Sequence, residues 1–224
     1  MKDNADLQKD VQEAISWEPL LTAAQIGVTV KDGVVTLTGT VDNYAKKMQA
    51  EDAAKRVAGV KAVVEKIEVQ LGNWGKTTDG EIATEVINAL NWNPKVPDDK
   101  VKVQVEDGWV TLEGELSWNY QREAVRNSIV NLMGVKGVSN YVKIKPESQD
   151  AVETTQIERA LDRDWSVNAD TIKVRVSGTA VTLSGTVNSP YQKEEAERIV
   201  WKAPGVWSVK NDLEVKYDYS LATE

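Results

Sequence analysis

The stretch VKDGVVTLTGTV, residues 30–41, reads as a β-hairpin. Val28, Val30, Val35 and Leu37 alternate with polar or exposed positions, the two-residue period of a half-buried strand. Asp32-Gly33 lies between the two runs, and Asp-Gly favours a two-residue type I′ turn. The unit recurs as VEDGWVTLEGEL at 105–116 and as VSGTAVTLSGTV at 176–187. The second copy keeps its turn as Asp107-Gly108. The third has Gly178-Thr179, and Gly in the first central position suits type II′, which also matches strand twist.

The spacing extends beyond the hairpin. Val30 to Val105 is 75 residues and Val105 to Val176 is 71. The same shifts carry Gly39 to Gly114 to Gly185, Gly59 to Gly134 to Gly205, and Ala14 to Ala89 to Ala160. A period above 70 is too long for a typical solenoid repeat and fits whole small domains in tandem. Each begins with a helix whose apolar residues keep a 3–4 spacing: Leu7, Val11, Ala14 and Ile15, then Ile82, Val86, Ala89 and Leu90, then Ile157, Ala160 and Leu161. Thr78-x-x-Glu81 is a capping-box pattern, and Asp150-x-x-Glu153 an acidic version of it, each placed where a helix should start. Pro19 and Pro94 help stop the first two of these helices. After the hairpin comes a second helix with a stripe of Ala50, Ala53, Ala54 and Val57. Its counterparts are Val125, Ile129 and Leu132, with Ser128 interrupting, and Ala196, Ile199, Val200 and Ala203. Ser189-Pro190 is a good helix start. A last strand carries Val63, Ile67 and Val69, or Val138, Val142 and Ile144, or Val209, Leu213 and Val215. The order is α-β-β-α-β three times. The fold class is α+β, each domain placing two helices on one face of a three-stranded mixed sheet. The domains span 1–72, 77–147 and 150–218, with short joints around Gly72 to Thr77 and Glu147 to Gln149. Gly39, Gly114 and Gly185 interrupt otherwise good strands, which marks a bulge, close packing or a close backbone approach, or else a ligand contact.

This order, with G-x-V-x-L-x-G-x-V after a helix, resembles the BON domain (bacterial OsmY and nodulation). The matching residues are Gly33, Val35, Leu37, Gly39 and Val41, then Gly108, Val110, Leu112, Gly114 and Leu116. The third copy offers Val181, Leu183, Gly185 and Val187, with Thr179 in place of the first Gly. The pairs Gly59-Val60, Gly134-Val135 and Gly205-Val206 match as well. The resemblance implies a non-catalytic bacterial stress or envelope protein whose domains contact phospholipid surfaces or other envelope proteins. It implies no cofactor and no catalytic residue to carry over.

Chemistry read from the residues agrees. With no His and no Cys, Ser-His and Cys-His nucleophiles and His- or Cys-ligated zinc are excluded. The carboxylates scatter over solvated faces. Asp98-Asp99 and Asp162-x-Asp164 lack EF-hand spacing and read as acidic helix-end loops rather than a metal site. Gly72-Asn-Trp-Gly75 reads as a linker. A net charge of -8 argues against a nucleic-acid partner. The start lacks the apolar core of a signal peptide, so the chain as it stands reads as cytoplasmic, and as periplasmic if a leader was removed.

Tryptophan is the informative residue, with eight Trp and no Phe. Trp17, Trp92 and Trp165 each follow the first helix and read as half-buried caps over their cores, the third copy gaining two residues before its Trp and losing two after. Trp109, Trp118, Trp201 and Trp207 stand where the first copy has Val34, Asn43, Lys55 and Lys61. Trp109 lies on the face opposite Val110 and Leu112, and Trp201 off the buried stripe. Exposed aromatics of this kind serve packing between domains, a protein partner or the polar–apolar boundary of a membrane. Lys46, Lys47, Lys55 and Arg56 share one helix and form a candidate basic patch for anionic lipid, although each copy is net acidic. The leading expectation is a phospholipid-surface protein acting through these basic residues and Trp side chains. The alternative is a soluble interaction scaffold or chaperone-like module.

Overall fold

The structure, a computed structural model, describes residues 3–70, 77–145 and 152–216. Most of both joints, Asp150 and the Gly72–Gly75 linker lie outside the described residues. The first copy comprises α1 (Asn4–Ser16), β1 (Ile26–Lys31), β2 (Val34–Val41), α2 (Tyr44–Arg56) and β3 (Ala62–Val69). The second has α3 (Asp79–Asn91), β4 (Val101–Glu106), β5 (Trp109–Leu116), α4 (Asn119–Ile129) and β6 (Gly137–Ile144). The third has α5 (Thr154–Asp162), β7 (Ile172–Ser177), β8 (Ala180–Val187), α6 (Pro190–Val200) and β9 (Ser208–Val215). A one-turn 3-10 segment precedes the first strand in every copy.

The hairpins form as their turns dictate. Asp32 and Gly33 both have positive φ, as do Asp107 and Gly108, the type I′ signature. In the third turn Gly178 alone has positive φ, as type II′ requires. The second strand of each hairpin is the middle strand of its sheet. β4 runs antiparallel to β5, from Val101↔Gly114 to Glu106↔Trp109. β6 then joins β5 in parallel, from Trp109↔Gly137 to Leu116↔Ile144. β7, β8 and β9 repeat this arrangement. In the second copy the parallel pair is closed at its ends by bonds from Lys136 N to Gly108 O and Lys145 N to Leu116 O, and the first copy has the equivalents, Lys61 N to Gly33 O and Gln70 N to Val41 O. A parallel return needs a crossover, and the second helix of each copy supplies it.

Both helices bury their stripes against one sheet face. In the third copy Ile157 and Leu161 of α5, Val181 and Leu183 of β8, Ala196, Ile199 and Val200 of α6, and Leu213 of β9 form one cluster. Ile82, Val86, Leu90, Val110, Leu112, Val125, Ile129 and Val142 are the buried counterparts in the second. Gly39, Gly114 and Gly185 mark a close backbone approach. All three have positive φ, and a Cβ on any of them would collide with a main-chain carbonyl oxygen, of Gln25, Lys100 or Thr171. The described residues of the first and third copies fall in one compact unit, apart from 40–47 and 68–70, which group with the second copy.

Helix starts follow the sequence in two cases and depart from it in one. The Thr78–Glu81 capping box is complete, the Thr78 amide donating to Glu81 Oε2 at 2.7 Å and Thr78 Oγ1 accepting from the Glu81 amide. The bonds from the Thr78 amide and hydroxyl hold the Glu81 carboxyl below its usual range. Ser189 caps α6 through the Gln192 amide, with Pro190 in the first turn. α5 does not start at Asp150: Glu153 is still extended and is itself the cap residue, so helical geometry begins at Thr154.

The first helix also fixes the hairpin turn. Asp79 accepts from the amides of Asp107 and Gly108, at 2.8 and 2.9 Å. Asn4, 75 residues earlier, accepts from Asp32 N at 3.0 Å. Turn amides point out of a type I′ hairpin, and an oxygen on the first helical turn meets them. Asp79→Ala is therefore expected to destabilise the second copy by roughly 1–2 kcal/mol. Hydrogen exchange should speed up first at the Asp107 and Gly108 amides, and unchanged protection there would refute the clamp.

Candidate functional site

The three Trp residues after the first helices are not caps. Trp17, Trp92 and Trp165 are 84%, 86% and 96% exposed. The reason is helical geometry. For Trp17 and Trp92 the inward stripes end at Ile15 and Leu90, and a residue two further on points about 200° away; Trp165, four residues past Leu161, stands in the loop beyond the end of α5. Trp17 and Trp92 are the C-cap residues of α1 and α3. The loops also correct the alignment of the third copy. Helix end, 3-10 turn and first strand keep the 75- and 71-residue shifts without insertion, so the C-cap equivalent to Trp17 and Trp92 is Arg163. Trp165 stands at the position of Pro19 and Pro94. The third copy thus displays its indole two residues later, at the same end of the same helix. Leu20, beside Pro19, is exposed too.

The other four Trp side chains among the described residues divide into two pairs. Trp109 is on the outer sheet face, as expected, and it is half-exposed. Its ring lies over Gly137 of the adjacent strand, where any side chain would collide with it, and Nε1 donates to Ser139 Oγ at 2.9 Å. The first copy has Val34 and Ala62 at the equivalent positions, so Trp109 and Gly137 form a matched large–small pair. Trp118 is exposed at the start of α4, its amide held by Gln121 Oε1. Trp201 and Trp207 are not open surface. Trp201, the C-cap of α6, is partly buried and packs on the third core, with Nε1 donating to Glu197 Oε1 at 3.3 Å. It follows the buried Val200 directly, and one residue is too small a rotation to leave the core edge. Trp207 is partly buried, with its indole nitrogen out of contact with solvent.

The basic residues of α2 do not form an open patch. Lys46 pairs with Asp42 at 2.7 Å. Lys55 reaches Glu51 at 2.9 Å and Glu194 of the third copy at 2.7 Å. Burial opposes the Lys55 charge, but the bonds to Glu194 and Glu51 outweigh it and hold its pKa above the usual lysine value. Arg56 lies 3.8 Å from Glu18, and its guanidinium sits 5.2 Å from the centre of the Tyr191 ring. Lys47 is partly buried. The periodicity of α2 places these cations on one helix; Asp42 and Glu51 meet Lys46 and Lys55 from four residues away, while Glu194 and Glu18 come from distant sequence.

No group of three or more His, Cys, Asp or Glu able to hold a metal occurs among the described residues. Asp164 is engaged locally. It accepts from the Ser166 hydroxyl at 2.6 Å and the Ser166 amide at 3.1 Å, which pull its carboxyl below the usual range. No helix of the described residues is long and apolar enough to cross a membrane.

The BON domain profile matches residues 3–70, 78–146 and 149–217. The chain belongs to the BON-domain family. The chain is similar to Osmotically-inducible protein Y of Escherichia coli (strain K12), with 31% identity over 147 residues, 64% of this chain and 73% of that protein. An uncharacterized protein in the gshII 5′ region of Anaplasma centrale is 28% identical over 125 residues, 54% of this chain and 83% of that one. Among solved structures, CdsD, a structural protein of the type III secretion system of Chlamydia trachomatis, aligns over 97% of this chain and 95% of its own at 18% identity. Its TM-score is 0.26, too low to bear on fold or function.

Proposed function

We propose that this tandem BON protein is a non-catalytic, stress-related protein of the bacterial envelope that binds phospholipid surfaces peripherally. The contact is made by indole rings at the ends of the first helices. The observation that carries this reading is the near-complete exposure of Trp17, Trp92 and Trp165, one in each domain. A large ring left in water has no structural use, and the indole, with an apolar body and one N–H donor, suits the headgroup–acyl boundary. Membership of the BON family and similarity to an osmotically inducible protein support the biological setting. The basic residues of α2 play little part, since Lys46, Lys55 and Arg56 are already met by carboxylates. Repetition is useful here because weak single contacts gain avidity when linked. Co-flotation of the intact chain with phospholipid vesicles at low salt tests the reading. The protein is expected in the lipid fraction, with a blue shift in Trp emission; protein left entirely in the aqueous fraction would end it.

A further inference from the structure

The third domain has a groove that its siblings lack the charges to match. A cavity of about 580 Å³ lies between α5 and the end of α6. Ile157, Ala160, Ile199 and Ala203 give it an apolar floor, and Arg159, Arg163 and Lys202 stand along its rim. Arg159 on α5 and Arg163, its C-cap, are about one helical turn apart. All three cations are exposed, and none forms an ion pair with a carboxylate among the described residues. Asp164 also lines the groove; the Ser166 amide and hydroxyl both bond to its Oδ1, and its charge is felt by Lys202 and Arg198, but one carboxylate against three cations leaves the rim net positive. Glu195 is held by Arg198. The equivalent rim positions are Glu13, Trp17 and Arg56 in the first domain and Asn88, Trp92 and Asn131 in the second. In a chain of net charge -8, three cations gathered around one groove run against the composition.

We propose that this groove binds the phosphate of an anionic phospholipid headgroup, so that lipid charge selectivity resides in the third domain. This rests on the membrane-surface reading above. Guanidinium groups fit phosphate oxygens in a planar, bidentate fashion, and Lys202 adds a point charge. The apolar floor accepts the glycerol and first methylenes. Trp165, two residues past Arg163 and almost fully exposed, reaches the same boundary layer beside the bound phosphate. Proximity of ring and cations is what favours a lipid over a free ion.

The test uses the full chain, vesicles of phosphatidylcholine alone, and vesicles with part of that lipid replaced by phosphatidylglycerol. Wild type should bind the anionic vesicles roughly tenfold or more tightly, with the difference shrinking in high salt. R159Q/R163Q should abolish the preference and leave the weaker binding to neutral vesicles. K173Q/R175Q makes the same charge change at exposed positions on β7 and should keep the preference. If R159Q/R163Q lowers only thermal stability and retains the preference, the arginines merely serve the C-terminal end of α5 and the headgroup site is overturned. Inorganic phosphate that saturates the groove in an NMR titration, with no vesicle preference, would overturn the lipid as occupant. Absence of binding to either vesicle would instead refute the membrane reading and, with it, this site.

Discussion

Gly114→Ala should lower the stability of the second BON domain by at least about 3 kcal/mol, enough to unfold much of it. Two costs add. The backbone at Gly114 has φ +148, outside the regions open to residues with a Cβ. The added methyl also drives into the Lys100 carbonyl oxygen, which belongs to main chain and cannot swing aside. Moving it means parting β4 from β5 at the Val101↔Gly114 pair, the far end of the hairpin from the turn. A domain of about 70 residues has little reserve to absorb this. Hydrogen exchange at the β5 amides is the suitable measurement, because it separates the second domain from the other two. Gly80→Ala is the control, since Gly80 is helical with nothing near its absent Cβ. That change should be neutral or stabilise by up to about 1 kcal/mol. Equal protection in both variants would show that the glycine is dispensable and the close approach unimportant.

The collision also explains why so much of the fold was legible. Period-two and period-3.6 patterns name a face, and the face of Val110 and Leu112 or of Ile82, Val86 and Leu90 is a local property. Copying did the rest: a position read weakly once, such as Gly39, was read three times in register. Exposure at helix ends was not legible in the same way. A Trp that recurs after a helix resembles a cap, so Trp17 reads from sequence as half-buried. Its true direction depends on a rotation of two residues past the last inward side chain. The third loop misled for a related reason. Aligning Trp165 with Trp92 required compensating gaps, whereas the backbone aligns Arg163 with Trp92 and needs none. The long-range ion pairs of α2 are not legible, because Glu18 and Glu194 approach Arg56 and Lys55 only in three dimensions, whereas Asp42–Lys46 and Glu51–Lys55 have the four-residue spacing of local pairs. Trp109 and Gly137 could have been matched from sequence, had the large residue been set against the small one on the neighbouring strand.

Replacing Trp17, Trp92 and Trp165 together by Ala should remove detectable vesicle binding while leaving thermal unfolding unchanged. Each ring is nearly free of protein contact, so truncation opens no cavity. Each indole that enters the boundary layer with half of its surface contributes on the order of 2 kcal/mol, or roughly thirtyfold in affinity. The single variants then distinguish two ways of using three domains. If all three rings engage one surface together, each single substitution weakens binding by a similar factor, and the triple loss approaches the product of the three. If one domain dominates, its Trp→Ala variant alone accounts for nearly the whole effect. The cations around Trp165 favour the third domain in that case, with Trp165→Ala the most damaging on anionic vesicles and no worse than Trp17→Ala or Trp92→Ala on neutral ones. A triple variant that floats with vesicles as wild type does would show that the exposed rings are idle, and would return the search to the half-exposed Trp109 and Trp118.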